Sequence, residues 1–184
     1  MSTSTETNQA EQLKTTVEAI LAEITQERER EIISRRFGLF DRRETLEQIG
    51  EMLGITRERV RQLEKAILVR LRLMVADGTI SSVSIMEKSL TTNLVEMGRV
   101  ARVQDLTNHF LGRDAEPTER SRVAFISELV PSITMINEND NYYQSAALQS
   151  VGDEKSIRSQ VDKIASFIKK HGKPVTAEEM HEKL

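Results

Sequence analysis

The chain has no cysteine and no tryptophan, and only three prolines, two tyrosines and five phenylalanines among 184 residues. Without cysteine there are no disulfides and no thiolate metal sites, a composition that fits a reducing cytoplasm. No apolar run approaches the roughly 20 residues that a membrane-spanning helix needs. The amino terminus, MSTSTETNQAEQ, is polar and acidic and lacks the apolar stretch of a secretory signal. A glycine-rich phosphate loop is missing too. His109, His171 and His181 have no metal-ligand spacing and read as surface residues. These absences argue against catalysis and predict neither cofactor, metal nor small-molecule substrate. With 38% hydrophobic and 30% charged residues, the chain reads as a soluble, helix-rich protein of one to two small domains.

What is present is concentrated in Thr45–Arg72, TLEQIGEMLGITRERVRQLEKAILVRLR. Thr45 caps a first helix, and Gln48 three residues on completes a capping box. Leu46, Ile49 and Leu53 form one apolar stripe. Gly50 shares that face, where a missing side chain lets the next helix cross closely. Gly54 supplies the left-handed residue that ends the helix, and Thr56 caps a second helix. At 100° per residue, Val60, Leu63, Ile67 and Leu71 of the second helix fall on one side. Glu58, Arg61, Gln62, Lys65 and Arg72 fall opposite, with Arg57 at the first turn. Residues 57–72 hold six basic side chains against two acidic ones. Two short helices joined by a tight turn, the second carrying Arg, Gln and Glu, have the layout of a helix-turn-helix that reads base edges in the major groove. The net charge of −3 does not oppose this, because residues 27–72 hold 12 basic and 9 acidic side chains. A local basic surface on an acidic protein still attracts phosphate.

RFGL at Arg36–Leu39, TLEQIG and GITRERVRQLE together resemble region 4 of sigma-70-type RNA polymerase sigma factors, over roughly residues 25–72. The run ERERE IISRRF before them resembles the helix that opens that region. The resemblance implies recognition of the −35 promoter element, with Arg57, Glu58 and Gln62 facing bases and Arg59 and Arg61 contacting phosphates or supporting the base readers. Thr45, Lys65 and Arg72 complete the expected set of DNA-contacting residues. Val69 departs from the family pattern, which usually has a basic residue there, so the resemblance bears more firmly on the base-reading end of the helix than on phosphate contacts at its far end. The family docks its opening helices on the flap of the polymerase β subunit, which implies RNA polymerase core as a partner beside double-stranded promoter DNA. Nothing in this aromatic-poor chain resembles the domain that melts the −10 element. It reads as a borrowed region 4 attached to something else.

Around that core the chain divides into an expected frayed tail at 1–10, a helix-turn-helix domain at 11–76, a serine-rich linker at 77–84, a winged-helix domain at 85–147 and the start of a second winged-helix repeat at 153–184. Leu13, Val17, Ile20, Leu21 and Ile24 predict a helix that packs on the helix-turn-helix. Met86, Leu90, Leu94 and Met97 predict another, ended by Gly98. Val103, Leu106 and Phe110 predict a second, and Pro117 opens a third with Val123, Ile126 and Leu129 inward. Ile133–Ile136, the turn at residues 137–141 and a return strand from Tyr142-Tyr143 predict a β-hairpin, with one of the two tyrosines in the core. Leu94–Phe110 aligns with Ile168–Leu184 at a constant offset of 74, an internal repeat. Both copies, GKPVTAEEM above all, resemble the HARE-HTH winged helix found at the start of the RNA polymerase delta subunit. The second copy carries only two helices, so a longer chain is expected, in which a third helix and hairpin cover Ile164, Phe167, Ile168 and Met180.

The expected fold is therefore mainly α. The primary reading is a sigma-like transcription factor, cytoplasmic and not an enzyme. Two others stay open: a polymerase flap-binding regulator with little DNA binding, and the DNA-targeting arm of a larger enzyme such as a restriction nuclease. For the first winged helix, six basic against nine acidic residues over 82–145 favour protein contact or spacing over DNA contact.

Overall fold

A computed structural model describes residues 3–183, with side chains described for residues 8–180. The helices are α1 (Thr3–Ala22), α2 (Glu27–Phe37), α3 (Leu46–Leu53), α4 (Arg57–Ala76), α5 (Ser81–Glu96), α6 (Val103–Leu111), α7 (Pro117–Leu129), α8 (Glu154–His171) and α9 (Ala177–Lys183). Strands β1 (Val100–Arg102), β2 (Ile133–Ile136) and β3 (Ser145–Leu148) form an antiparallel sheet in the order β1-β3-β2. Among the described residues no helix is long and apolar enough to cross a membrane.

The helix-turn-helix follows the local chemistry. Gln48 N donates to Thr45 Oγ1 at 3.2 Å and Thr45 N to Gln48 Oε1 at 2.8 Å, closing the capping box that starts α3. Gly54 ends α3 at φ 65°; its N–H donates to the Glu51 carbonyl and the N–H of Ile55 to the Gly50 carbonyl. Arg59 N donates to Thr56 Oγ1 at 3.2 Å and starts α4. Ile32, Ile49 and Val60 are buried together beneath Leu46, Leu53, Ile55 and Leu63, locking α2, α3 and α4. Gly50 is where the chain passes closest: a Cβ there would sit 2.7 Å from the carbonyl oxygen of Ile55.

From α5 to β3 the order is that of a winged helix, with a third strand the sequence did not foretell. β1 pairs with β3, Val100 opposite Ala147, and β3 pairs with β2, Ile133 opposite Leu148. The return strand begins at Ser145, not at Tyr142. Asn139 holds the intervening loop, its Oδ1 accepting from the N–H groups of Asn141 and Tyr142. Neither tyrosine enters the core. Tyr142 is half-buried, with its hydroxyl donating to Asp162 Oδ1 at 2.5 Å, and Tyr143 is exposed.

Three expected boundaries shift. Residues 77–84 are not an extended linker, because Ser81, Ser82 and Ser84 lie in the first turn of α5. Val83 and Met86 extend the buried stripe of Leu90 and Leu94 and hold that turn in place. The stretch expected to fray before residue 11 is helical from Thr3, continuous with the packed part of α1, and Ala10 rests against the core; residues 1 and 2 lie outside the described residues. Nor is there a seam between the helix-turn-helix and the winged helix. One core runs from Leu13, Val17 and Ile20 of α1 through Ile67 and Leu71 of α4 to Leu90, Phe110, Phe125 and Ala146. Phe37 of α2 and Phe125 of α7 meet with ring centroids 4.9 Å apart. The amphipathic helix before the motif, expected to pack on the helix-turn-helix, packs instead on α5, α6 and α7, because its apolar stripe of Leu13, Val17 and Ile20 is buried in the core they build.

The second repeat copies the first helix for helix. α8 ends at Gly172 and α9 opens at Ala177, each 74 residues beyond Gly98 and the start of α6 at Val103. Ile157 alone in α8 is buried, against Ile136, Ala147 and Val151.

Gly50→Ala separates two effects. Alanine in place of glycine favours a helix interior by about 1 kcal/mol. Forcing a Cβ against a backbone carbonyl costs about 1–3 kcal/mol or more. We therefore expect a net loss and a lower urea midpoint. A midpoint equal to or above the parent's would show that α3 and α4 do not press together at Gly50.

Candidate nucleic-acid interface

The buried residues of α4 are Val60, Ile67, Leu68, Leu71 and Val75. They turn the first two turns of the opposite side outward, and Arg57, Glu58, Arg59, Arg61, Gln62 and Lys65 are all exposed. This brings together six of the eight residues expected to contact DNA. Thr45 is exposed at the start of α3, where its hydroxyl is committed to the cap.

The exposed side chains are ordered by one another. Arg61 Nε and Nη2 donate to the two oxygens of Glu58 at 2.8 and 2.7 Å, a fork-to-carboxylate pair across one turn. Gln62 Nε2 donates to Glu58 Oε1 at 3.3 Å, and Arg59 Nη1 to Gln62 Oε1 at 3.4 Å. The Arg61 hydrogen bonds, first among the causes, hold the Glu58 carboxyl down at about 2. Glu58 is thus ionised across the neutral range, and its pairing is lost only as pH falls toward that value. Arg57 stands 3.9 Å from Glu47 of α3, both well exposed. Glu47 was not among the expected site residues. Its position two residues after the Thr45 cap, on the polar side of α3, was the available signal.

Arg72 lies elsewhere. Its Nε donates to the Glu128 carbonyl at 3.0 Å, and its Nη2 pairs with the Glu128 carboxylate, tying α4 to α7. Burial pushes the Glu128 carboxyl up, and Arg72 acts against that rise. Arg70 is likewise bonded to Glu29 at 2.6 Å, and Arg36 forms an ion pair with Glu64 at 3.2 Å. The open cationic surface of α4 is therefore its amino-terminal half. Val69 is exposed beyond it.

The winged helix does not offer a second reading helix of the usual kind. α1, α2, α4, α5, α6 and β2 all pack on α7. Arg122 Nε donates to the Leu39 carbonyl at 3.0 Å, and buried Glu119 is gripped by both ends of the Arg113 guanidinium at 2.8 and 2.6 Å. A helix so enclosed keeps only the side of its first turns that carries Pro117, Arg120 and Ser121 open to solvent. Of the histidines, His109 Nε2 lies 3.0 Å from Glu96 and His171 stacks on Phe167; the side chain of His181 is outside the described residues.

Residues 25–73 match the family model described as Sigma-70, region 4. RNA polymerase sigma factor RpoD from two strains of Helicobacter pylori is 47% identical over 64 residues, 34% of this chain and 9% of the relative. RNA polymerase sigma factor SigA of a Bacillus species is 48% identical over 63 residues, again 34% of this chain and 16% of the relative. The region 4 resemblance carried by TLEQIG and GITRERVRQLE is thereby shown, over the helix-turn-helix alone. The chain spans only 9% to 16% of the length of these relatives.

Arg72→Ala distinguishes its internal bond from a DNA contact. It leaves Glu128 enclosed without its counter-charge, at a cost of about 1 kcal/mol after allowing for the exposure of Arg72. A carboxyl raised by folding disfavours the folded state as pH rises through its range. The deficit should be full at pH 7 and shrink as Glu128 takes up a proton in acid. Urea titrations of both proteins at two pH values measure it. Weaker DNA binding at unchanged stability would return Arg72 to the DNA face.

Proposed function

We propose that this protein is a sequence-specific, sigma-like transcription factor. It reads promoter DNA with the amino-terminal half of α4 and works in contact with RNA polymerase core. The observation that carries this reading is the open row of Arg57, Glu58, Arg61 and Gln62 on a helix whose opposite side is anchored in the core. Arg bonds bidentately to guanine, Gln to adenine, and Glu accepts from cytosine. A helix that only filled a polymerase groove would need none of these groups, so the row favours promoter reading over a purely flap-binding role. The polymerase side of the proposal rests on the relatives, which are named RNA polymerase sigma factors. By the same likeness, α2 is the element proposed to meet the flap of the β subunit. A single helix-turn-helix buries modest surface on DNA, and a polymerase partner supplies the missing affinity.

Selection from random duplexes, with and without polymerase core, tests both halves of the proposal. A recovered consensus that sharpens when core is present supports it; recovery of no consensus under either condition overturns it. On the selected site, Arg57→Ala or Gln62→Ala should weaken binding by about 1–3 kcal/mol and relax preference at one or two positions. Equal loss on every sequence would remove the base-reading role. Arg61→Ala should weaken binding on all sequences and flatten the salt dependence by about one unit of slope. An unchanged slope would remove the phosphate contact.

A further inference from the structure

A second cationic surface lies far along the chain from the helix-turn-helix. A groove of about 980 Å³ runs between the polar face of α8 and the loop joining β2 to β3. Lys155, Lys163 and Lys170 line it, with the hydroxyls of Ser159 and Ser166 between them. At 1.5 Å and 100° per residue the three lysines span about 22 Å along α8, Lys163 and Lys170 nearly in line and Lys155 about 80° round from Lys163.

Most cationic rows on helices are simply solvated, but here the acids of the same groove are already engaged. Glu154 accepts from Arg158 Nη2 at 2.7 Å and from Asn137 N at 3.0 Å. Asp162 accepts from the Tyr142 hydroxyl, and the Arg158 guanidinium lies over the Tyr142 ring at 4.9 Å. Among the described residues, none of the three lysines makes an ion pair or a hydrogen bond. The groove lining has four basic and two acidic side chains, so a net positive charge faces solvent.

The internal repeat gives an independent comparison. At the offset of 74, Lys155, Lys163 and Lys170 stand where α5 has Ser81, Ser89 and Glu96. Ile157, Ile164 and Ile168 stand where α5 has Val83, Leu90 and Leu94. The apolar positions that build the helix pair are shared by both copies. The lysines are not, so the scaffold does not require them.

We propose that this groove is a second site for the phosphodiester backbone of duplex DNA, one that grips phosphates without reading bases. The proposal rests on the reading of the chain as DNA-binding. It adds that α8, and not the enclosed α7, is how the winged-helix half touches the duplex.

The test is a Lys155→Gln, Lys163→Gln, Lys170→Gln triple variant of the full chain. Its binding to a long duplex carrying the selected site is followed by fluorescence anisotropy from 50 to 200 mM salt, with Lys88→Gln on α5 as a control for loss of an exposed charge. Each phosphate contact contributes about 0.9 to the slope of log affinity against log salt. The triple variant should flatten the slope by about 2–3 units and keep the consensus and the melting temperature of the parent. A slope within about half a unit of the parent's, while the parent still prefers its site, overturns this proposal and leaves the promoter reading intact. A parent with no site preference, but a steep slope that the triple variant flattens, supports the groove and overturns base reading by α4. A parent that does not bind DNA overturns both.

Discussion

The approach of α4 to Gly50 is the constraint on which the rest depends. With no Cβ at that point, the turn at Ile55 comes against α3 at a distance no other residue permits. The direction of α4 follows, and with it the side on which Arg57, Arg61 and Gln62 emerge. Everything assigned to the polar half of α4 presumes that this crossing is fixed. Ile32, Ile49 and Val60 then fill the space beside it and turn a backbone contact into a small apolar core.

The other half of the molecule is built onto that motif, not strung after it. α1 lies against α5, α6 and α7, while the inner face of α4 contributes Ile67 and Leu71 to the same core. The match to sigma region 4 ends at residue 73, before the winged helix begins. Enclosing α7 binds the two halves firmly and leaves only its first turns, at Pro117, Arg120 and Ser121, open to solvent. The same packing accounts for Arg72: on a helix wheel it falls with the exposed polar residues of α4, yet α7 reaches it first.

How much of this was legible in the sequence depends on how local each cause is. The caps at Thr45 and Thr56, the left-handed Gly54, the close approach at Gly50 and the order of the winged-helix helices all arise from residues a few positions apart, and all were readable. The face of α4 was readable for the same reason, as far as Lys65. The fate of Arg72 was not, because its partner Glu128 is 56 residues away. β1 escaped notice because three residues, two of them exposed, carry no periodicity; it exists as a strand only through pairing with β3. The serines at 81, 82 and 84 resemble a linker by composition. Only tertiary burial of Val83 makes them a helical turn. Each miss is a long-range contact overriding a local preference.

If α4 reads DNA as proposed, the Glu58–Arg61 pair has a consequence for how that face would move over the duplex. Before any base is engaged, Arg61 is already neutralised by its neighbour. On the proposed reading, that neighbour would compete with the phosphates of an arbitrary stretch of duplex and shorten each unproductive stop. At the right step a cytosine amino group would satisfy the carboxylate while the guanidinium turned to the backbone, exchanging the internal bond without leaving either group stranded. A helix with the arginine alone would cling to every site it met.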